Sequence, residues 1–389
     1  MSNPLKLCIV TGSRAEYGLF YPLLEGISRD PELQLQLLVT GMHLSPEFGL
    51  TYRQIEEDGF VIDEKVEMLL SADTGTAIAK STGLGVIGYA DAFRRLQPDW
   101  VVVLGDRFET FAAATAAFLS RLPLAHLHGG ELTEGALDDG LRHCITKMAY
   151  LHFASTERYR ERIIQMGEEP ERVFHVGAIG LDNIRRLEPL GREALSEKLG
   201  LDLERETLLV TFHPATLEVD AAQEQIENLV EALRQFPDQQ VVFTLSNADE
   251  NSRVINRSIH RFAEENPARV KAFTSLGQLN YLSLLRCVTA VVGNSSSGII
   301  EVPSFGIPTV NIGSRQQGRL AADSVIHTGT DTESIRRGLE QALSPSFRAY
   351  CRTVANIYGD GHTAPAILKE MKRTGRLHTL KKSFYTSSL

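Results

Sequence analysis

His126-Leu-His128-Gly-Gly-Glu131 and Asp138-Asp-Gly-Leu-Arg142-His143 place three carboxylates, three imidazoles and one guanidinium within fewer than twenty residues. Carboxylates crowded into one site push one another's pKa values apart, and one site thereby holds both an acid and a base. Asp138 and Arg142 are spaced i, i+4 at the start of a helical stretch running to about Leu151, so they share one face. The arginine and the helix N-terminus would keep Asp138 ionised. Trp100-Val-Val-Val-Leu-Gly-Asp106-Arg107 ends an apolar run on a further carboxylate, although a plain helix cap gives the same pattern. His126 and His128 alternate with Leu127 and face the same side if the strand continues. A His-x-His pair with Glu131, Asp138 and His143 nearby is also a zinc or manganese pattern. Two adjacent glycines and an arginine among the ligands suit substrate contact better, and no metal or other cofactor is expected.

A second group of residues suits an anion. Val291-Val-Gly-Asn-Ser295-Ser296-Ser297-Gly-Ile-Ile-Glu301 is a strand, a turn of small polar residues and a helix start. Such a turn offers backbone N–H groups and hydroxyls to a phosphate without a metal, and Glu301 could accept from ribose hydroxyls. An ordinary capped helix is the plainer explanation. Ile312-Gly-Ser-Arg315-Gln316-Gln-Gly-Arg319 follows the next strand and brings two guanidiniums suited to a diphosphate. Thr11-Gly-Ser-Arg14-Ala-Glu-Tyr17 sets an arginine in the first strand–helix turn, and Thr211-Phe-His213-Pro ends a strand on a histidine. His213 could donate to a phosphate oxygen or a leaving group; a core histidine is the bland alternative.

Bringing these groups together requires strand ends. Leu5–Val10, Leu33–Val39, Trp100–Leu104 and Leu122–Leu127 read as buried parallel strands, with helices over Tyr17–Ser28, Thr76–Leu96 and Phe108–Arg121. After a pause near residues 175–185, Leu208–Phe212, Val241–Leu245, Val288–Val292, Thr309–Ile312 and Val325–His327 repeat the pattern. The expectation is an α/β protein of two Rossmann-like, doubly wound domains around a central cleft at the strands' carboxyl ends. Residues 1–180 would carry the acid/base groups, residues 181–363 the nucleotide, and residues 364–389 a helix and basic tail returning to the first domain.

Bulk properties narrow the classes. A length of 389 residues exceeds one ordinary core. The net charge of -9 is spread along the chain, which excludes a nucleic-acid or anionic-membrane surface and calls for local arginines. No apolar run approaches the roughly 20 residues of a membrane helix. Four separated cysteines without CxxC read as reduced core thiols, and Lys6–Val10 reads as a first strand rather than a signal peptide. A cytoplasmic protein is expected.

The sequence resembles the hydrolysing UDP-N-acetylglucosamine 2-epimerases of the sialic-acid pathway over nearly its whole length. The marks are TGSRAEYG (11–18), LVTGMH (38–43), GDRFE (105–109), HLHGGE (126–131), DDGLRHCITK (138–147), TFHPAT (211–216), GNSSSGIIE (293–301), NIGSRQQGR (311–319) and IYGDG (357–361). The resemblance implies the GT-B architecture and metal-free conversion of UDP-N-acetylglucosamine and water to N-acetylmannosamine and UDP. It also implies that Arg14, Arg107, His213, Asn247, Ser295, Ser296, Glu301 and Arg315 surround UDP, with Ser297, Gln316 and the Leu276–Tyr281 segment completing the pocket. Asp106, Asp138 and the segment from His128 to Glu131 would handle protons, with Arg142 and His213 as further catalytic residues. Many relatives carry a glutamate where His128 stands, so the acid/base task falls to His128 or to Glu131.

The physical logic is that C1–O cleavage running ahead acidifies the hydrogen on C2. A base then takes that proton to leave a glycal, and water adds with reprotonation from the opposite face. The implied partners are a UDP-sugar and further copies of the chain, as a homodimer or homotetramer. Two neighbouring readings are a relative acting on UDP- or GDP-2,4-diacetamido-trideoxyhexose and a GT-B glycosyltransferase. A third is a nucleotide-sugar-binding regulator without turnover, against which the crowded carboxylates argue.

Overall fold

The computed structural model describes residues 3–70, 74–133, 137–213, 222–245 and 252–386. Runs of Val, Leu and Ile covered on both faces favour parallel strands, and two wholly parallel sheets result. The first contains β1 (Leu5–Thr11), β2 (Leu33–Thr40), β3 (Glu64–Val66), β4 (Trp100–Leu104), β5 (Leu124–Leu127), β6 (Leu151–Ala154) and β7 (Val173–His175). Their order is β3-β2-β1-β4-β5-β6-β7. Helices α1 (Arg14–Arg29), α2 (Tyr52–Glu57), α3 (Gly75–Leu96), α4 (Phe108–Leu119), α5 (Leu137–Met148), α6 (Glu157–Gln165) and α7 (Asp182–Arg186) connect them.

The second sheet contains β8 (Thr207–Thr211), β9 (Gln240–Thr244), β10 (Val270–Phe273), β11 (Ala290–Gly293), β12 (Thr309–Ile312) and β13 (Val325–Thr328), in the order β10-β9-β8-β11-β12-β13. Helices α8 (Arg192–Leu199), α9 (Ala222–Arg234), α10 (Ser252–Glu265), α11 (Gly277–Leu285), α12 (Ser296–Ile300), α13 (Thr332–Leu343) and α14 (Pro345–Cys351) belong with it, and α15 (Thr363–Thr374) follows. The chain divides into one compact unit of Met1–Leu132, Ala136–Arg186 and Tyr358–Leu389, and another of Thr133–Gly135 and Leu187–Ile357.

Helix α15 belongs to the first unit. Both carboxylate oxygens of Asp182 cap its start, accepting from the Thr363 and Ala364 N–H groups at 2.9 and 2.7 Å. Its Ala364, Ile367 and Met371 join Tyr17, Phe20, Leu23 and Leu24 of α1 in the core. Burying each large apolar side chain contributes about 1.5–3 kcal/mol, enough to hold a terminal helix that would be marginal in isolation.

Several elements differ from the sequence reading. Strands β3, β6 and β10 form where no strand was predicted, because segments of three or four residues with polar residues among them carry too little periodicity to separate strand from helix. The helix expected to run to about Leu151 stops at Met148, since Leu151 opens β6 beside β5. Among the described residues no helix is long and apolar enough to cross a membrane.

Candidate active site

In each sheet the connection reverses direction beside its first strand, between β1 and β4 and between β8 and β11. Ligands of doubly wound sheets bind outside the carboxyl ends of strands at that reversal. Most of the chemically loaded residues sit there. In the first unit Gly12, Ser13 and Arg14 follow β1, Asp106 and Arg107 follow β4, and His128 to Glu131 follow β5. In the second, His213 follows β8, Asn294 to Ser297 follow β11, and Arg315 and Gln316 follow β12.

The first unit gathers its groups around the guanidinium of Arg142, which is only 3% exposed. It ion-pairs with Asp106, donates to the His128 carbonyl at 3.1 Å and lies 3.5 Å from Glu131 Oε2. Arg142 was expected to hold Asp138 ionised from one turn away; its guanidinium turns instead to Asp106 and the β5 loop. Asp138 occupies the first turn of α5. Glu131, 2% exposed, accepts at Oε1 from Ser155 at 2.7 Å and lies 2.7 Å from His128 Nδ1. The Ile179 N–H points at His128 Nε2 from 3.4 Å. Nε2 is therefore the acceptor, and Nδ1 carries the proton that it donates to Glu131.

The two histidines do not face the same side. β5 ends at Leu127, and His128 takes the left-handed backbone with φ 62°, uncommon for a side chain of its size. The alternation expected from continued strand geometry is broken at that residue. His126 stays in the core, with Nε2–H donating to the Gly105 carbonyl at 2.8 Å and Nδ1 3.2 Å from Thr146 Oγ1. Burial, more than any neighbour, drives its pKa down to about 3, so it is a neutral structural group.

Arg107 forks onto Glu109, with Nε–Oε2 at 3.1 Å and Nη2–Oε1 at 2.8 Å. Glu16, in the first turn of α1, accepts from the Gly12 N–H at 2.6 Å and from Thr110 at 3.2 Å. Burial outweighs these bonds and the Arg107 charge, and lifts its carboxyl to about 7. Arg14 is exposed at the first position of α1.

In the second unit Asn294 joins two strand ends. Its side chain accepts from the His213 N–H and donates to the His213 carbonyl, both at 2.8 Å. Its own carbonyl accepts from Arg315 Nη1 and Gln316 Nε2, both at 2.9 Å. Gly293 makes this approach possible: it has φ 131°, and a Cβ there would overlap the Thr211 carbonyl oxygen. Burial first, and the Arg315 charge second, hold the half-buried His213 near 4, so it offers an N–H but no charge.

The Ser295 hydroxyl caps α12 by accepting from the Ser297 N–H at 3.4 Å, and the Ser297 hydroxyl lies 2.7 Å from that of Tyr281. Burial raises the pKa of Glu301 against the opposing Ser297 hydrogen bond. Leu276 is buried at the start of α11, and Ser296 begins α12. Asn247 lies outside the described residues.

Sequence reasoning missed Ser155, Asn294 and Glu109 as parts of these clusters. Asn294 and Glu109 stand inside motifs that were read for their neighbours, and Ser155 follows the unpredicted strand β6.

The UDP-N-acetylglucosamine 2-epimerase family matches residues 25–372. The chain is 42% identical over 343 residues to a GDP/UDP-N,N'-diacetylbacillosamine 2-epimerase (hydrolyzing) of Campylobacter jejuni, covering 88% of each chain. The chain belongs to the UDP-N-acetylglucosamine 2-epimerase family. A family relative from Legionella pneumophila, a UDP-N,N'-diacetylbacillosamine 2-epimerase (hydrolyzing), is 34% identical over 94% of this chain and 95% of its own. The Neisseria meningitidis UDP-GlcNAc 2-epimerase bound to UDP-GlcNAc has a TM-score of 0.82 at 17% identity, over 95% of this chain and 100% of that one. At that identity the likeness speaks for the fold, which is GT-B: two Rossmann-like units, each built on one parallel sheet.

Proposed function

We propose that the chain is a hydrolysing 2-epimerase of nucleotide-linked 2-acetamido sugars. The observation that carries this reading is the β4–β5 cluster, in which Asp106, Arg142, His128 and Glu131 share one hydrogen-bonded network beside a sheet reversal. The C1–O bond breaks and the nucleoside diphosphate leaves, while the proton on C2 passes to one group of this cluster. The resulting glycal takes up water at C1 and a proton on the opposite face of C2, which inverts that carbon. His128, held by Glu131, is the proposed proton acceptor, and Asp106 and Asp138 the further proton-handling carboxylates. Ser295, Ser296, Ser297, Glu301, Arg315, Gln316, Leu276, Tyr281 and His213 of the second unit, with Arg14 and Arg107 of the first, are the proposed nucleotide contacts. Arginines and backbone N–H groups would meet the charge of the departing diphosphate.

For the sugar, the relatives named for diacetylbacillosamine at 42% and 34% identity favour a 2,4-diacetamido-trideoxyhexose on UDP or GDP. UDP-N-acetylglucosamine is the second reading, supported by the name of a Neisseria meningitidis relative that is 31% identical. Incubation with each nucleotide sugar in heavy water, followed by NMR of the free sugar, tests both. A 2-epimerised sugar bearing deuterium at C2 is expected. Transfer to an acceptor without solvent deuterium would replace this reading with a glycosyltransferase. We also propose that the chain assembles with itself, since Leu84 and Ile87 of α3 and Phe118 and Leu119 of α4 are exposed apolar residues; sedimentation measures this.

A further inference from the structure

A second charge cluster, built on a buried carboxylate, lies at the other end of α5. Glu168, 1% exposed, is 2.5 Å from Lys147 Nζ, 2.7 Å from Lys382 Nζ and 3.1 Å from His152 Nε2. Burial alone would raise its pKa; the bonds from His152, Lys147 and Lys382 overcome that and hold it at about 2. Lys382 belongs to the chain's C-terminal tail, more than two hundred residues away in sequence. Besides Glu168, its ammonium donates to the carbonyls of Lys147 and Ala149 at 2.9 and 2.7 Å, the open carbonyls where α5 ends.

Independent contacts seat the same tail. The Tyr385 N–H donates to the Gly167 carbonyl at 2.9 Å, and Arg172 donates to the Lys381 carbonyl at 3.3 Å. The Phe384 ring fills the space where any residue but glycine at 167 would carry its Cβ, and Lys147 Nζ stands 5.1 Å from the ring centre. Three devices thus converge on one stretch of tail: a half-buried ammonium, a backbone hydrogen bond and a ring against a glycine.

Helix α5 is twelve residues long, stiff over that length, and carries Asp138 in its first turn and Arg142 in its second. We infer that Lys382 is a positioning residue: the docked tail clamps the C-terminal end of α5 and so fixes where its N-terminal half presents Arg142 to Asp106 and Glu131. Lys382 touches none of the reacting groups. Its removal leaves Glu168 still paired with Lys147 and His152, while the end of the helix loses the ammonium that meets its open carbonyls.

The test compares the full-length chain with Lys382→Met, Lys382→Arg and Phe384→Ala. Lys382→Met is expected to lower kcat about ten- to a hundred-fold, with KM changed less than about three-fold. Lys382→Arg, which keeps the charge and the donors, should restore kcat to within about three-fold of the parent chain. Hydrogen exchange of residues 137–148 should quicken in Lys382→Met and in Phe384→Ala, which keeps every charge and removes only a largely exposed ring. Native kcat with native exchange in Lys382→Met overturns the inference, as does a loss of kcat that arginine does not restore. If Lys382→Met fails to fold, Phe384→Ala decides: faster exchange of α5 with lower kcat supports the clamp, and native values of both overturn it. Absence of turnover in the parent chain would count against the proposed reaction alone, because the exchange arm reads the clamp without substrate.

Discussion

His128 donates its Nδ1 proton to Glu131 across 2.7 Å, and the same carboxylate oxygen receives the Ser155 hydroxyl. A buried carboxylate on one ring nitrogen fixes the tautomer, leaving the other nitrogen with a lone pair, which the Ile179 N–H meets from 3.4 Å. His128→Ala should therefore lower kcat about 10²- to 10⁴-fold. Glu131→Gln should cost about ten- to a hundred-fold, because the amide supports the imidazole but not the imidazolium that forms. Calorimetry should find UDP affinity within about three-fold in both variants, since neither residue is a nucleotide contact. Glu131→Gln with native kcat would dissolve the pairing as a catalytic unit.

Asp106 and Arg142 act as a unit, with the guanidinium also bridging to the β5 loop. Asp106→Asn and Asp138→Asn should keep UDP affinity and lower turnover by two or more orders of magnitude. Arg142→Lys should also be poor, because one ammonium cannot serve Asp106, the His128 carbonyl and Glu131 in the guanidinium's fork geometry. Unchanged single-turnover rates in either Asn variant would remove that carboxylate from the mechanism.

Arg315 donates to Asn294 at the end of β11, beside the serine turn. Arg315→Ala should weaken UDP binding about ten- to a hundred-fold, as the loss of a charge-assisted hydrogen bond of about 1.5–3 kcal/mol requires. Titration calorimetry checks this, and native affinity would clear Arg315 of contact with the nucleotide.

Glu16 gives a stability prediction with a definite sign. Burial raises its carboxyl from 4.5 to about 7 in the folded chain. The folded state therefore holds a proton that the unfolded state releases, and this contribution is complete below about pH 4.5. It is lost as pH rises through about 7. Glu16→Gln should lie on the order of 3 kcal/mol above the parent chain at pH 8, with the gap closing towards pH 4.5. Denaturant unfolding at both values measures the difference; a gap independent of pH would mean that Glu16 is ionised in the folded chain across the range.

The strands flanking the two reversals were readable because each is a short, largely apolar run that leads into Gly, Asp, His or Ser. β4 and β12 have the predicted bounds, and β1, β2, β8 and β9 differ from them by one residue at one or both ends. β6 was not readable, and with it went Ser155, whose role depends on lying beside β5. His126 and His128 looked equivalent in sequence. One residue of left-handed backbone sends the first into the core and the second to Glu131.

What the sequence by itself determined is therefore the alternation of strand and helix, the family, and which residue types stand at strand ends. All of these follow from local periodicity and from motif spacing along the chain. Only the tertiary structure decided partners: Arg142 with Asp106 rather than Asp138, Asn294 across to His213, and Lys382 beneath α5 against Glu168. Those choices depend on which strand ends lie side by side. Desolvation then makes each buried charge take the nearest group able to satisfy it, wherever that group lies in the sequence.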